Sequence, residues 1–169
     1  MPDSPHLSVR ELHKQFVLHL LDGKCLTGFT DVSFDVPATR FVGIAGRSGS
    51  GKSSLLKCIY RTYLADGGSM LYRRSDGSTV DLATADDDTM LDLRAGEIGY
   101  VSEVYVAEPF RNTGVGRTLM SRAVEVCARA LHKHVFIGVD ATNGPAMHLY
   151  RRFGFVRIGT FAFYSRTGL

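Results

Sequence analysis

Two glycine-bearing runs in this 169-residue chain have the composition to grip phosphate oxygens. Gly46-Arg-Ser-Gly-Ser-Gly51-Lys52-Ser53 is a full G-x-x-x-x-G-K-[ST] loop. Its glycines permit backbone angles that turn successive N–H groups inward, and a helix behind the loop adds its positive end to the same spot. Gly46, Ser48, Gly49, Ser50, Gly51, Lys52, Ser53 and Ser54 are the candidate ligands of a nucleotide phosphate. Lys52 would reach the outer phosphates, and the Ser53 hydroxyl would ligate magnesium. The second run, Arg111-Asn-Thr-Gly114-Val-Gly116, is an R-x-x-G-x-G turn at the start of a helix. Backbone N–H groups from Asn112 to Arg117 would converge on an anion there, with Arg111 and Arg117 adding positive charge.

The elements that must position these turns can be read from periodicity. Leu7–His19 and Gly23–Pro37 read as strands joined by an Asp22-Gly23 turn. Phe41–Ala45 is a short apolar strand feeding the first loop. Behind it Leu55, Leu56, Ile59 and Tyr63 recur at helical spacing, with Gly67-Gly68 as the stop. Met70–Arg73 and Thr79–Leu82 flank a turn at Ser75–Ser78, and Ala85–Arg94 is a short helix or loop. Ile98–Val106 alternates as a strand. Gly114–Leu131 is a helix with Leu119, Met120, Ala123, Val126, Cys127, Ala130 and Leu131 on its apolar side. Val135–Val139 is a buried strand, Pro145–Phe153 a helix and Phe155–Tyr164 one or two closing strands.

The first segment, Leu7–Ser102, resembles the N-terminal part of an ATP-binding-cassette ATPase, of the type in the phosphonate carbon–phosphorus lyase system. The resemblance rests on His13-Lys-Gln-Phe16, Ser48–Ser54, Leu64-Ala-Asp-Gly-Gly68, Val80-Asp-Leu82 and Ile98–Ser102. It implies ATP with magnesium as a ligand and Phe16 stacked on adenine. Other cassette parts are missing. Glu103 stands where that family has glutamine, no LSGGQ-type run follows, and Ala141 occupies the place of the catalytic glutamate after Val135–Asp140. In-line hydrolysis therefore lacks its water-positioning groups.

From about Ile98 the likeness changes. Glu103-Val-Tyr-Val106, Pro109-Phe-Arg111, the Arg111–Gly116 turn, Asn143, Ala146 and Tyr150-Arg-Arg-Phe-Gly-Phe155 together resemble the C-terminal half of a GNAT acetyltransferase. That resemblance implies acetyl-CoA as acyl donor, its pyrophosphate on Arg111, Asn112, Thr113, Gly114, Val115, Gly116 and Arg117. Val104 and Val106 would pair with the pantetheine amides, and Asn143 would contact or orient the cofactor. The strand carrying them would splay from Val135–Val139 to admit the arm. Tyr150 is the candidate acid for the leaving thiolate, with a packing residue on an amphipathic helix as the alternative. Glu103 is the candidate base, directly or through water, with a solvent-facing strand carboxylate as the equal alternative. Asp140 reads as a cap or a second polar group at the cleft.

The expected fold is α/β, a mixed sheet with flanking helices, with a truncated P-loop segment over 1–97 and a GNAT-like segment over 98–169. The expected function is transfer of an acetyl group from acetyl-CoA to a primary amine, an aminoalkylphosphonate-like molecule being suggested by pathway association. An ATP-binding module and a catalytically silent fusion are the alternatives. Met70–Arg94 could supply substitute strands for the acyltransferase sheet, and an open edge at the junction would suit a homodimer.

Composition narrows the rest. Hydrophobic residues make up 44% and charged residues 22%, which suits a packed core. A net charge of +3 with interspersed signs does not build a nucleic-acid face. No basic n-region precedes an apolar stretch, no apolar run is of membrane-spanning length, and Cys25, Cys58 and Cys127 lack metal-ligand spacing. His132 and His134 have no ligand partner at metal spacing. These features lead to the expectation of a cytoplasmic protein without membrane insertion.

Overall fold

The structure is a computed structural model that describes residues 5–18, 24–38 and 41–161. The Asp22-Gly23 turn, His19 and the part of the last strand expected beyond residue 161 lie outside the described residues. The chain is mixed α/β, with two four-stranded sheets and flanking helices. An antiparallel sheet has the order β2-β1-β4-β5, formed by β1 (Leu7–Leu18), β2 (Lys24–Val36), β4 (Gly67–Arg73) and β5 (Thr79–Asp81). A parallel sheet has the order β6-β7-β3-β8, formed by β3 (Phe41–Gly46), β6 (Ile98–Val101), β7 (His134–Asp140) and β8 (Val156–Phe161). The helices are α1 (Lys52–Ile59), α2 (Asp87–Gly96), α3 (Val115–Arg129) and α4 (Gly144–Arg152).

The parallel sheet takes β3 from before residue 98 and β6, β7 and β8 from after it. Phe41–Gly46 reads as a nearly continuous apolar run, as a strand covered on both faces must. Side chains alternate across this sheet. Val42, Ile44, Ile98 and Phe136 face α1 and the antiparallel sheet, in a core with Leu55, Ile59, Met70 and Tyr72. Ala45, Val135, Ile137 and Val139 face the other way, against Met120, Cys127, Tyr150 and Phe155 of the α3/α4 side. Full burial of such aliphatic and aromatic side chains contributes about 1.5–3 kcal/mol each.

Four expectations change. Met70–Arg94 does not extend the sheet of β6 and β7, because β4 and β5 pair in the antiparallel sheet beside β1. Helix α1 ends at Ile59, well before Gly67-Gly68, which open β4. The stop is Arg61, which takes a left-handed backbone (φ 61°) and points its guanidinium at the carbonyls of Leu82 and Ala85. The strand expected over Ile98–Val106 closes at Val101. Helix α3 buries only Met120 and Cys127. Leu119 and Val126 stay 43% and 55% exposed, because α3 meets the body along a narrow strip and nothing covers its outer side among the described residues.

Candidate functional site

The first glycine loop leaves β3 at Gly46 and enters α1 at Lys52. Gly49 (φ 76°) and Gly51 (φ 77°) both adopt the left-handed region. At Gly51 an added Cβ would lie 2.1 Å from the Gly28 carbonyl oxygen, so only glycine fits. The Lys52 ammonium folds back and donates to the carbonyls of Gly46 (2.9 Å) and Arg47 (2.6 Å). Partial burial pulls the Lys52 pKa below the ordinary lysine range, and the Asp140 charge opposes this. Asp140 lies opposite Gly46 in the β3–β7 register. Its carboxylate accepts from the Thr142 N–H (2.8 Å) and hydroxyl (2.7 Å), which hold its pKa low, with a smaller contribution from Lys52. Ser50 is 7% exposed and its hydroxyl has no hydrogen-bond partner among the described residues. Ser53 is exposed and Ser54 half-buried at the start of α1. The Phe16 ring is edge-on to Tyr63, 5.3 Å between centroids, and lies against Gly28, whose carbonyl abuts Gly51. Phe16 is thereby carried to the side of the loop.

The second turn is built differently. A short 3-10 turn, Glu108–Phe110, follows the end of β6. Asn112 takes a left-handed conformation (φ 62°), and Gly114 (φ 92°) is the N-cap of α3. The Arg111 Nε donates to the Val106 carbonyl (3.1 Å), and the Thr113 hydroxyl to the Phe110 carbonyl (2.7 Å). The N–H groups at the start of α3 are left for an outside acceptor, as at any helix start.

Val104, Val106, Arg111, Asn112, Gly114, Gly116, Arg117, Asn143 and Tyr150 line one cleft of about 740 Å³. Tyr105, Pro145, Ala146, His148, Leu149 and Arg152 complete its wall. Thr113, Val115 and Glu103 are not among its lining residues, although Glu103 is exposed beside it in sequence. Three arginines and no acidic residue line this cleft among the described residues. His148 and Arg152 were not foreseen; their i, i+4 spacing on α4 was the available signal. Asn143 accepts from the Ala146 N–H (3.0 Å) and caps α4 with its side-chain oxygen. Tyr150 is buried near the Phe155 ring, and burial pushes its hydroxyl above the ordinary tyrosine range. It therefore stays protonated and can donate.

Strands β6 and β7 pair from Ile98↔His134 to Val101↔Ile137, and β7 then continues to Asp140 paired with β3 but not with β6. Residues 102–107 carry no strand pairing, so the segment after β6 parts from β7 where the cleft begins. Both turns lie at the carboxyl end of the parallel strands, where open α/β sheets place their ligands. No helix among the described residues is long and apolar enough to cross a membrane, and no group of three metal-ligating side chains is present among them.

Fold and cleft thus define a mixed α/β protein with two glycine-bearing turns at the carboxyl end of one parallel sheet. The family model for the acetyltransferase (GNAT) family matches residues 55–155, more than half of the chain. The chain belongs to the acetyltransferase (GNAT) family. Curated relatives of another kind match about half of the chain. One is the trimethylamine N-oxide transport system ATP-binding protein TmoW of Pelagibacter ubique, 33% identical over 53% of this chain and 25% of that protein. Another is the methionine import ATP-binding protein MetN 1 of Acinetobacter baylyi, 30% identical over 53% of this chain and 23% of that protein. The chain spans about a quarter of the length of these relatives. Among solved structures, a bacterial ABC transporter cassette in dimeric form is similar at 20% identity, with TM-score 0.46, over 67% of this chain and 47% of that one.

Proposed function

We propose that the protein transfers an acetyl group from acetyl-CoA to a small primary amine. The observation that carries this reading is the cleft, whose wall joins the glycine turn at the start of α3, three arginines and a buried tyrosine whose hydroxyl is held above its ordinary range. Acetyl-CoA supplies the activated acyl group. The turn from Arg111 to Arg117 holds its pyrophosphate through backbone N–H groups, with Thr113 and Val115 contributing main chain. Val104 and Val106 offer backbone to the pantetheine amides, and the Asn143 cap fixes the α4 wall. Tyr150 delivers a proton to the sulfur as it leaves. Glu103 accepts the amine proton through water, since its side chain stands outside the cleft wall. In this reading residues 1–97 and 98–169 are segments of different ancestry that share the parallel sheet, and the protein works in the cytoplasm, with the β6 edge available to a second copy.

A second reading gives the first loop a nucleotide. The similarity to ATP-binding proteins and the Lys52–Asp140 pair at the loop mouth favour it. Gly46 to Ser54 would hold ATP phosphates, Ser53 the magnesium and Phe16 the adenine, without hydrolysis. A silent fusion is the reading left if neither ligand binds.

Thermal unfolding with acetyl-CoA or Mg-ATP, beside thiol release from acetyl-CoA with an amine panel, separates these readings. A ligand that binds only the folded state at 100 times its Kd adds about 2.7 kcal/mol of stability. The transferase reading expects stabilisation by acetyl-CoA and amine-dependent thiol release. Absence of both refutes it.

A further inference from the structure

A second, smaller cavity lies on the α4 side of the parallel sheet, and Tyr150 stands in its wall as well as in that of the cleft. Its volume is about 20 Å³, and Gly43, Ala45, Val139, Met147 and Phe155 give it an apolar lining. Gly43 and Ala45 are alternate residues of β3, so both face the side of the sheet that carries Tyr150 and Phe155. One has no side chain and the other a single methyl, whereas Val42 and Ile44 fill the core on the opposite face. Ala45 is paired with Val139 of β7, and Met147 comes from α4, three residues before Tyr150 and on the same helix face. A Cβ added at Gly43 would meet only the Val156 carbonyl oxygen, at 3.7 Å, apart from its chain neighbours. The direction in which a side chain would grow from Gly43 is therefore open. Arg151 and Arg157 also line the cavity, and both are exposed, which marks its solvent side. A space of this size admits one water or one methyl group, and a water needs two to four polar partners that the five apolar residues do not supply.

We propose that this cavity seats the chain of the acyl group, and that its size limits the donor to acetyl, with Gly43 and Met147 setting the limit. The inference rests on the transferase reading and adds the acyl specificity of that site. In that reading Tyr150 gives its proton to the departing sulfur, so the thioester lies against the Tyr150 side chain. The carbon beyond the carbonyl then has beside it the apolar space that Tyr150 also walls. An acetyl methyl fills that space. A butyryl chain brings two more carbons, for which the cavity has no room. One methylene too many in a hydrophobic pocket discriminates by about 10–200-fold. The nitrogen–carbon bond forms as the carbon–sulfur bond breaks, the sulfur taking the Tyr150 proton and Glu103 the amine proton through water. The acyl chain itself is unchanged, so the cavity acts on the choice of donor and not on the proton transfers.

The test reads thiol release from acetyl-CoA, butyryl-CoA and succinyl-CoA in the unaltered protein, Met147→Ala and Gly43→Ala. Calorimetry with free CoA, which has no acyl chain, is the control. The unaltered protein should favour acetyl-CoA over butyryl-CoA by about tenfold or more in kcat/KM. Met147→Ala, which opens the wall, should bring that ratio down by about tenfold. Gly43→Ala, which places a methyl in the space, should lower kcat/KM for acetyl-CoA by about tenfold with the Kd for free CoA unchanged. Gly43→Ala carries the test by itself if Met147→Ala fails to fold. Donor preferences that neither variant moves overturn the inference. So does a loss in Gly43→Ala that free CoA binding shares, and so does a preference for succinyl-CoA, drawn by Arg151 and Arg157. In each of these cases thiol release in the unaltered protein leaves the transferase reading standing. Absence of thiol release from every donor, together with absence of CoA binding, overturns that reading and the inference with it.

Discussion

His134 begins β7 at the seam between the two sheets, and its titration should set how stability depends on pH. It is 4% exposed, and its Nδ1 is 2.9 Å from the Tyr72 hydroxyl of β4. Tyr72 in turn lies 3.3 Å from a Glu97 oxygen. All three groups are satisfied when neutral His134 donates from Nδ1 to Tyr72 and Tyr72 donates to Glu97. Burial, with the neighbouring His6 ring 4.9 Å away, lowers the His134 pKa from 6.5 to about 4. A histidine with a depressed folded-state pKa binds its proton more readily in the unfolded chain. Its contribution to stability is therefore complete above pH 6.5 and lost as pH falls from 6.5 towards 4. Integrating the difference in protons bound gives a loss of about 2 kcal/mol between pH 8 and pH 5. The carboxylates of Asp35, Asp66 and Asp140, all held low, weaken the fold at lower pH and so stand apart from this window. Urea unfolding at pH 8, 6.5 and 5 reads the slope, and an NMR titration of the imidazole reads the group itself. The reasoning fails if His134 titrates near 6.5, or if His134→Gln keeps the unaltered protein's slope between pH 8 and pH 5.

Gly114→Glu places a carboxylate at a φ of 92° on the start of α3, where an added Cβ meets nothing within 4 Å. It should cost about 1–2 kcal/mol of backbone strain and abolish the acetyl-CoA thermal shift through charge, whereas a retained shift would remove the turn from the site. Tyr150→Phe preserves the ring beside Phe155 and should lower kcat by roughly 10²-fold or more, with KM for acetyl-CoA little changed; an unchanged kcat would assign Tyr150 to packing alone. Cys58 is buried, with a thiol that burial pushes up to about 11, so iodoacetamide at pH 8 should modify exposed Cys25 long before it. Mass mapping that finds Cys58 labelled first would contradict its burial.

The order of elements was legible because each carries a local signature. The apolar Phe41–Gly46 run, the G-K-S entry to α1 and the helical pattern of Pro145–Phe153 each depend on residues close in sequence, whereas the capping role of Asn143 was not foreseen. The pairing of strands was not legible, because it is decided by contacts far apart along the chain. Phe41 is paired with Val135, and nothing near either residue encodes the other. Likewise, alternation from Ile98 to Val106 reads as one strand, but only the first part finds a partner in β7. The apolar stripe of α3 was overread for a related reason. Periodicity reports which side of a helix can be buried, and the fold supplies a partner for only part of that side.

The position of Ala141 gains its meaning from this pairing. The Ala141 N–H donates to the Gly46 carbonyl (2.9 Å), the same oxygen that receives the Lys52 ammonium. Asn143 bonds back to the Asp140 carbonyl (2.9 Å) and caps α4, whose N-terminal residues line the cleft. A single turn, Asp140–Asn143, therefore fastens the Lys52 loop on one side and the cleft wall on the other. A glutamate at position 141 would bring a second carboxylate beside Asp140 to the mouth of the Gly46–Ser53 loop. Alanine leaves that mouth to Lys52 and Asp140, so that under the nucleotide reading the loop would hold a phosphate without a further carboxylate to drive water against it.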